Sequence, residues 1–420
     1  MYLSNMIRST FRSHMPVSMV LLLCLGIAGL NVAMAGELER RQAKRIHDRI
    51  AGVPPTNAVL DQMEADLISG DSSAAAYKAM ANPAFYNVTL KNFITPWTNE
   101  EQTKFAPLND YTATVIGLIR DDKDFREVLY GDIIYVGAAS LGISGYSNSS
   151  NAHYEQLEQL GPQVANLGDP DVLQEASQSS VTGLAANATA GVITTRAAAR
   201  AFFKDGTNRA MFRFTLLNHL CSDMEEIKDI TRTPDRIRQD VSRSPGGDSR
   251  IFMNSCIGCH AGMDGMLGGY AYYNYLYDED TDPDGDSGRL QYTAGQVQPK
   301  YLINSNNFKS GYITIDDSWI NYWRNGQNAL LGWGSYAGMN LDDKGNSYGA
   351  GAKLLGREMA NSEAFAQCQV KKVFKLVCLR DPDNYAADRN QVNQIVTDFK
   401  NSGYKLKTAF AGAADYCKGN

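Results

Sequence analysis

The chain reads as mainly α. Apolar residues recur at three- and four-residue spacing, helix-start residues precede several of these runs, and strand-like alternation is weak throughout. No internal repeat interrupts the 420 residues.

In order, Pro54-Pro55-Thr56 opens a helix whose Val59, Leu60, Met63 and Leu67 share one face. Asn82-Pro83 breaks the next pattern and restarts it, with proline at a tolerated first-turn position. Asp110 is suited to cap "YTATVIGLIR", and Gly131 to end "DFREVLYG". From Gly137 to Ala190 the text loosens ("SGYSNSSNAH", "LGDPD", "SQSSVTG"), which predicts a surface loop region or the wall of a pocket. Helical text returns with "TTRAAARAFF" and "NRAMFRFTLLNHLC". A helix is expected from about Ser362 to Cys378, with further helices after it.

The N-terminus predicts export. Arg8 and Arg12 precede the apolar run "PVSMVLLLCLGIAGL", and Ala33-Met34-Ala35 supplies a small-x-small cleavage site before Gly36. Cys24 follows Leu23, which excludes a lipoprotein signal; an uncleaved anchor is the competing reading. No later run is long and apolar enough to span a bilayer, so no stable membrane anchor is expected after cleavage. The expected location is periplasmic or secreted. Residues 1–35 hold two arginines and no acids, so the net charge of −6 becomes −8 on cleavage. An acidic chain without basic runs excludes nucleic acid as a partner.

The chemistry lies in "NSCIGCHAGMDGMLGG", where Cys256, Cys259 and His260 form C-x-x-C-H. Zinc needs four ligands, and Cys221, Cys368, Cys378 and Cys417 form no second pair of that spacing. A thioredoxin-type dithiol follows a strand and opens a helix, whereas "SPGGDSRIF" reads as a loop. Covalent haem fits each residue: two thiols on one helical turn reach the vinyl groups of one porphyrin edge, and the adjacent histidine supplies an axial nitrogen. One haem c is therefore the expected cofactor, with Cys256 and Cys259 as anchors and His260 as proximal ligand.

The run "RFTLLNHLCSDMEEIKDITRTPDRIRQDVSRSPGGDSRIFMNSCIGCHAGMDGMLGGYAYYNY" resembles the haem segment of the planctomycete-type cytochrome c family. "HDRIAGVPPTNAVLDQM" and "MANPAFYNVTLKNFI" look like that family's N-terminal helices, and "ANSEAFAQCQVKKVFKLVCLRDPDNYAADRNQVNQIVTDFKNSGYKLKTAF" like its C-terminal bundle. The resemblance covers about half the chain. Gly265 stands where the family has proline, and Leu379 where it has glycine. It implies a haem protein outside the cytoplasm and carries over no substrate. The expected organisation is a signal peptide (1–35), a helical N-terminal region with a long loop section (36–205), an embedded c-type haem segment (206–345) and a C-terminal three-helix bundle (346–420).

The six remaining cysteines are an even number in an oxidising space. On one helix Cys368 and Cys378 stand about 15 Å apart, beyond the roughly 7 Å that a disulfide spans. Two connectivities remain, and up-down-up packing of the last helices favours Cys378–Cys417 with Cys221–Cys368. Free buried thiols are the alternative.

The second axial ligand is less determined. Met263 follows His260 by three residues and stays on its side of the ring; Met266 is scarcely better placed, and Met359 reads as core. Met339, in the glycine-rich "GWGSYAGMNLDDKGNSYGAGA", is the leading choice, with His219 or an open iron as alternatives. The tyrosines of "YAYYNYLY" read as packing against the haem edge. In "DEDTDPDGDSG", Asp280, Asp282, Asp284 and Asp286 with Gly285 match part of a calcium loop, but its twelfth position is Gln291. Ca2+ and a solvated acidic loop both remain open. The function implied is single-electron transfer with a periplasmic redox partner; the alternatives are a haem enzyme with an open iron face and a structural haem protein.

Overall fold

A computed structural model describes residues 36–204, 208–302 and 310–419, so the expected signal peptide and Cys24 lie outside the described residues. The fold is mainly helical, with a few short strands. No helix among the described residues is long and apolar enough to cross a membrane.

The N-terminal part stacks a helix over residues 36–51 with Asn57–Ile68 and Ser72–Met80. Thr56 caps the second of these by accepting from the Val59 N–H. Asn109 caps the Asp110–Arg120 helix, correcting the expectation for Asp110. Asp110 instead accepts from the backbone N–H groups of Arg196 and Ala197, at the start of Arg196–Phe202. That helix lies far away in sequence, and a carboxylate at its N-terminus satisfies otherwise orphaned donors.

The strands are all antiparallel. β1 (Ile134–Gly137) pairs with β2 (Leu173–Ala176), and β3 (Tyr273–Leu276) with β4 (Arg289–Tyr292). β5 (Ser318–Asn321), β6 (Asn340–Leu341) and β7 (Ser347–Ala350) form a sheet in the order β5-β7-β6. Each strand is at most four residues long, too short to show period-two patterning in sequence.

At the C-terminus, Glu363–Cys378, Ala386–Asn401 and Leu406–Cys417 pack on one another, and the last also packs on Ser72–Met80. Ser362 caps the first by accepting from the Phe365 N–H. Disulfides join Cys221 to Cys368 and Cys378 to Cys417, with Cα atoms 5.2 and 5.5 Å apart, the connectivity the helix lengths favour. One cluster of buried apolar residues runs from Ala43 to Cys417 and takes in all three expected stretches.

Leu379 ends the Glu363–Cys378 helix at φ +57°, in the left-handed region, with 72% of its surface exposed. A β-carbon is disfavoured there, and this side chain buries little in return. Leu379→Gly is therefore expected to stabilise the chain by about 1 kcal/mol, read as a higher urea midpoint. An unchanged midpoint would show that the contacts Leu379 does make outweigh the strain.

Candidate functional site

The two thiols and the imidazole sit at the start of the Ile257–Leu267 helix, which Cys256 precedes as N-cap. At 3.6 residues per turn, Cys256, Cys259, His260 and Met263 share one face. The opposite side is seated by glycines at three-residue spacing. Gly262 lies against the Trp323 indole, Gly265 against the Ile320 carbonyl and Gly268 against that of Ser318. A Cβ on Gly265 would stand 2.9 Å from the Ile320 oxygen. This close approach gives a physical reason for glycine rather than proline at that position. The thiol face thereby points away from β5.

Cys256 and Cys259 are the free cysteines among the described residues. Cys256 packs beside Ile237, Val241 and Phe252. The Cys259 Sγ lies 3.4 Å from the Met224 carbonyl oxygen, and it opens onto a cavity of about 590 Å³. Cofactor sites commonly span about 300–1,000 Å³. Phe214, Met224 and Met263 give this cavity an apolar wall, and its charged lining is mixed: Arg209 and Arg213 with Glu100, Asp223 and Glu225, Arg213 pairing with Asp223 at 2.8 Å. Burial, and then the nearby Glu225, raises the Cys259 thiol above its ordinary value. Dithiol oxidoreductases rely on the reverse, a thiolate stabilised by its surroundings.

His260 is oriented from behind. Its Nδ1 lies 3.1 Å from each oxygen of Asp264, whose side chain is fully buried. Burial pushes the Asp264 carboxyl up, but His260, Arg209 and Arg238 together hold it below its ordinary value, as an anion. An anionic carboxylate can only accept, so Nδ1 is the donor of this bond. Asp264 was overlooked in the sequence, although its spacing four residues after His260 is the signal that could have found it. Two thiols and an imidazole on one helical face beside an apolar wall are a donor set that fits a c-type haem, although Cys259 alone of the three lines the cavity.

The other expected site residues lie elsewhere. Met339 is not brought to the thiol face: its sulfur accepts from the Arg324 guanidinium at 3.1 Å. Arg324 also reaches the Gly334 carbonyl and pairs with the fully buried Glu358, which needs that countercharge. His219 is a core histidine, its Nε2 2.8 Å from the Tyr111 hydroxyl and its ring between Trp97 and Phe365. Burial, and then Lys372, holds it neutral, well below its ordinary value. Met266 and Met359 are fully buried in the main core. Tyr270, Tyr273 and Tyr275 are also buried, Tyr273 stacking on Phe203, and none lines the Cys259 cavity.

The acidic loop meets its countercharge on the Arg196–Phe202 helix and at Lys204 just beyond it. Asp282 accepts from the backbone N–H groups of Asp286 and Ser287, and Asp286 pairs with Arg200 at 2.5 Å. Arg196, Arg200 and Lys204 donate to the carbonyls of Gly288, Asp284 and Pro283. Among the described residues no three His, Cys, Asp or Glu side chains form a metal-ligating group, so Asp280, Asp282, Asp284 and Asp286 are not brought together as one. Asp284 and Asp286 instead border a second cavity, polar and about 700 Å³, which shares Glu100 and Ala210 with the first. Ser150, Asn151 and Glu155 of the loose 137–190 stretch form part of its wall.

No protein-family model, curated protein or solved structure matches this chain.

Proposed function

We propose that the chain is an exported monohaem c-type cytochrome, of the planctomycete type its motifs resemble, that exchanges single electrons with a periplasmic partner. One observation carries the reading: the two cysteines outside the disulfides among the described residues share a helical face with an imidazole whose inner nitrogen is already tethered. Cys256 and Cys259 would anchor the porphyrin edge, and His260 Nε2 would ligate the iron. Bound there, the haem supplies a one-electron couple. The chain's own part is to fix the imidazole, exclude water with Phe214, Met224 and Met263, and leave one edge near the surface. The two disulfides suit the periplasmic or secreted location expected from residues 1–35.

Intact-mass analysis of protein matured in a host competent for cytochrome c biogenesis tests this. One covalent haem is expected, and it should be lost when Cys256 and Cys259 are replaced together by alanine. Wild-type protein of unmodified mass with Cys256 joined to Cys259, or with both on zinc, overturns the reading.

A second reading, a haem enzyme with an open iron face, is favoured by the engagement of the expected distal ligands. Met339 is held by Arg324 and His219 by Tyr111, while Met263 lies on His260's own face. The neighbouring polar cavity would then admit a small molecule. Carbon monoxide separates the two readings: an unchanged ferrous spectrum supports electron transfer, and rapid binding supports the open face.

A further inference from the structure

The partner of His260 is more elaborate than ligation alone requires. A fully buried carboxylate persists as an anion only where charge and hydrogen bonds compensate it. Around Asp264 that compensation is built in. The Arg209 Nε lies 3.7 Å from Oδ1, and the backbone N–H of Arg238 reaches Oδ2 at 3.4 Å. Asp240 in turn pairs with both guanidinium groups, each at 3.0 Å. Arg238 is itself buried and lies over the Tyr301 ring, 4.2 Å from its centroid. Asp264 thus sits in a set of two acids and two bases, with His260 as its hydrogen-bond partner at 3.1 Å, and an acceptor fixed from behind orients its donor.

We propose that Asp264 is the positioning residue of the His260 site: it takes the Nδ1 hydrogen bond, fixes the tautomer that leaves Nε2 free, and sets negative charge behind the axial nitrogen. The inference rests on the haem reading and deepens it. A carboxylate on the inner nitrogen makes the imidazole a stronger donor to metal. Stronger donation favours the more positive oxidation state, so Asp264 biases the one-electron couple toward ferric iron. The electron comes from or returns to an external redox partner.

Asp264→Asn keeps the shape and an oxygen for Nδ1 but removes the charge; Asp264→Glu keeps the charge. Potentiometric titration of the matured full chain with dithionite and ferricyanide, followed by haem absorbance, reads both. In Asp264→Asn the ferric-to-ferrous ratio at a given potential is expected to fall about tenfold, a midpoint about 59 mV higher for one electron. Asp264→Glu should stay closer to wild type. Equal midpoints for wild type and Asp264→Asn, in protein carrying covalent haem, overturn this inference alone. Absence of covalent haem from the wild type overturns the haem reading as well. Should Asp264→Asn fail to accumulate, the wild type decides. Its His260 Nδ1 proton, held against a buried carboxylate, is expected to exchange slowly with solvent by NMR, and fast exchange overturns the proposal.

Discussion

Replacing Cys221 and Cys368 together by alanine is expected to lower stability by about 5 kcal/mol, measured by urea unfolding of the oxidised protein. The bond closes a chain separation of 147 residues, and releasing so long a loop returns much entropy to the unfolded state. The consequence reaches the site. Cys221 stands two residues before the 223–225 stretch that lines the Cys259 cavity, and its bond ties that stretch to the Glu363–Cys378 helix. The Cys378–Cys417 bond spans only 39 residues, and its loss should cost about 4 kcal/mol on the same loop argument. Equal stability of wild type and the Cys221/Cys368 double variant would mean that packing alone fixes the thiol helix against the C-terminal helices.

Gly268→Ala is expected to be the most damaging single methyl addition in the site region, costing about 3 kcal/mol or more. A Cβ there would overlap the Ser318 carbonyl oxygen, which is backbone within β5 and is not free to step aside. The thiol helix would have to lift off its seat, tilting the face that carries Cys259 and His260. Gly145→Ala is the control: its Cβ meets nothing within 4 Å, and a change within about 0.5 kcal/mol is expected. Thermal unfolding of the two variants side by side checks the contrast. Similar melting temperatures would show that β5 yields more readily than a paired strand should.

Local chemistry was legible in the sequence where it is set by neighbours along the chain. Thr56 and Ser362 announced their helices because a cap acts three residues away. Helix rise excludes a Cys368–Cys378 bond, and the up-down-up expectation for the last helices chooses between the two pairings that remain. The C-x-x-C-H spacing brought its three groups to one face by the same helical geometry. Asp264 obeys that periodicity too, four residues after His260.

What could not be read depends on residues distant in sequence. Asp110 looked like a cap for its own helix, yet its donors come from residues 196 and 197. The aspartates of the 280–286 loop could be counted, but not Arg196, Arg200 and Lys204, which meet the loop from 79 to 92 residues upstream. Met339 stood out in a loop with no helical face. What engages it is Arg324, a residue recruited to balance buried Glu358. The glycines at 262, 265 and 268 were visible as composition, but their meaning needed β5 and Trp323 opposite them.

The unbroken apolar cluster also limits how this cytochrome candidate can be dissected. Met263, Met266 and Leu267 of the thiol helix belong to the same interior as Phe85 near one end of the described chain and Phe410 near the other. Cutting out a minimal haem-bearing piece would leave those side chains facing solvent, with the Cys221 bond severed. Redox and ligand-binding work on the site therefore calls for the whole polypeptide, and a truncated product would report on its own collapse rather than on the native centre.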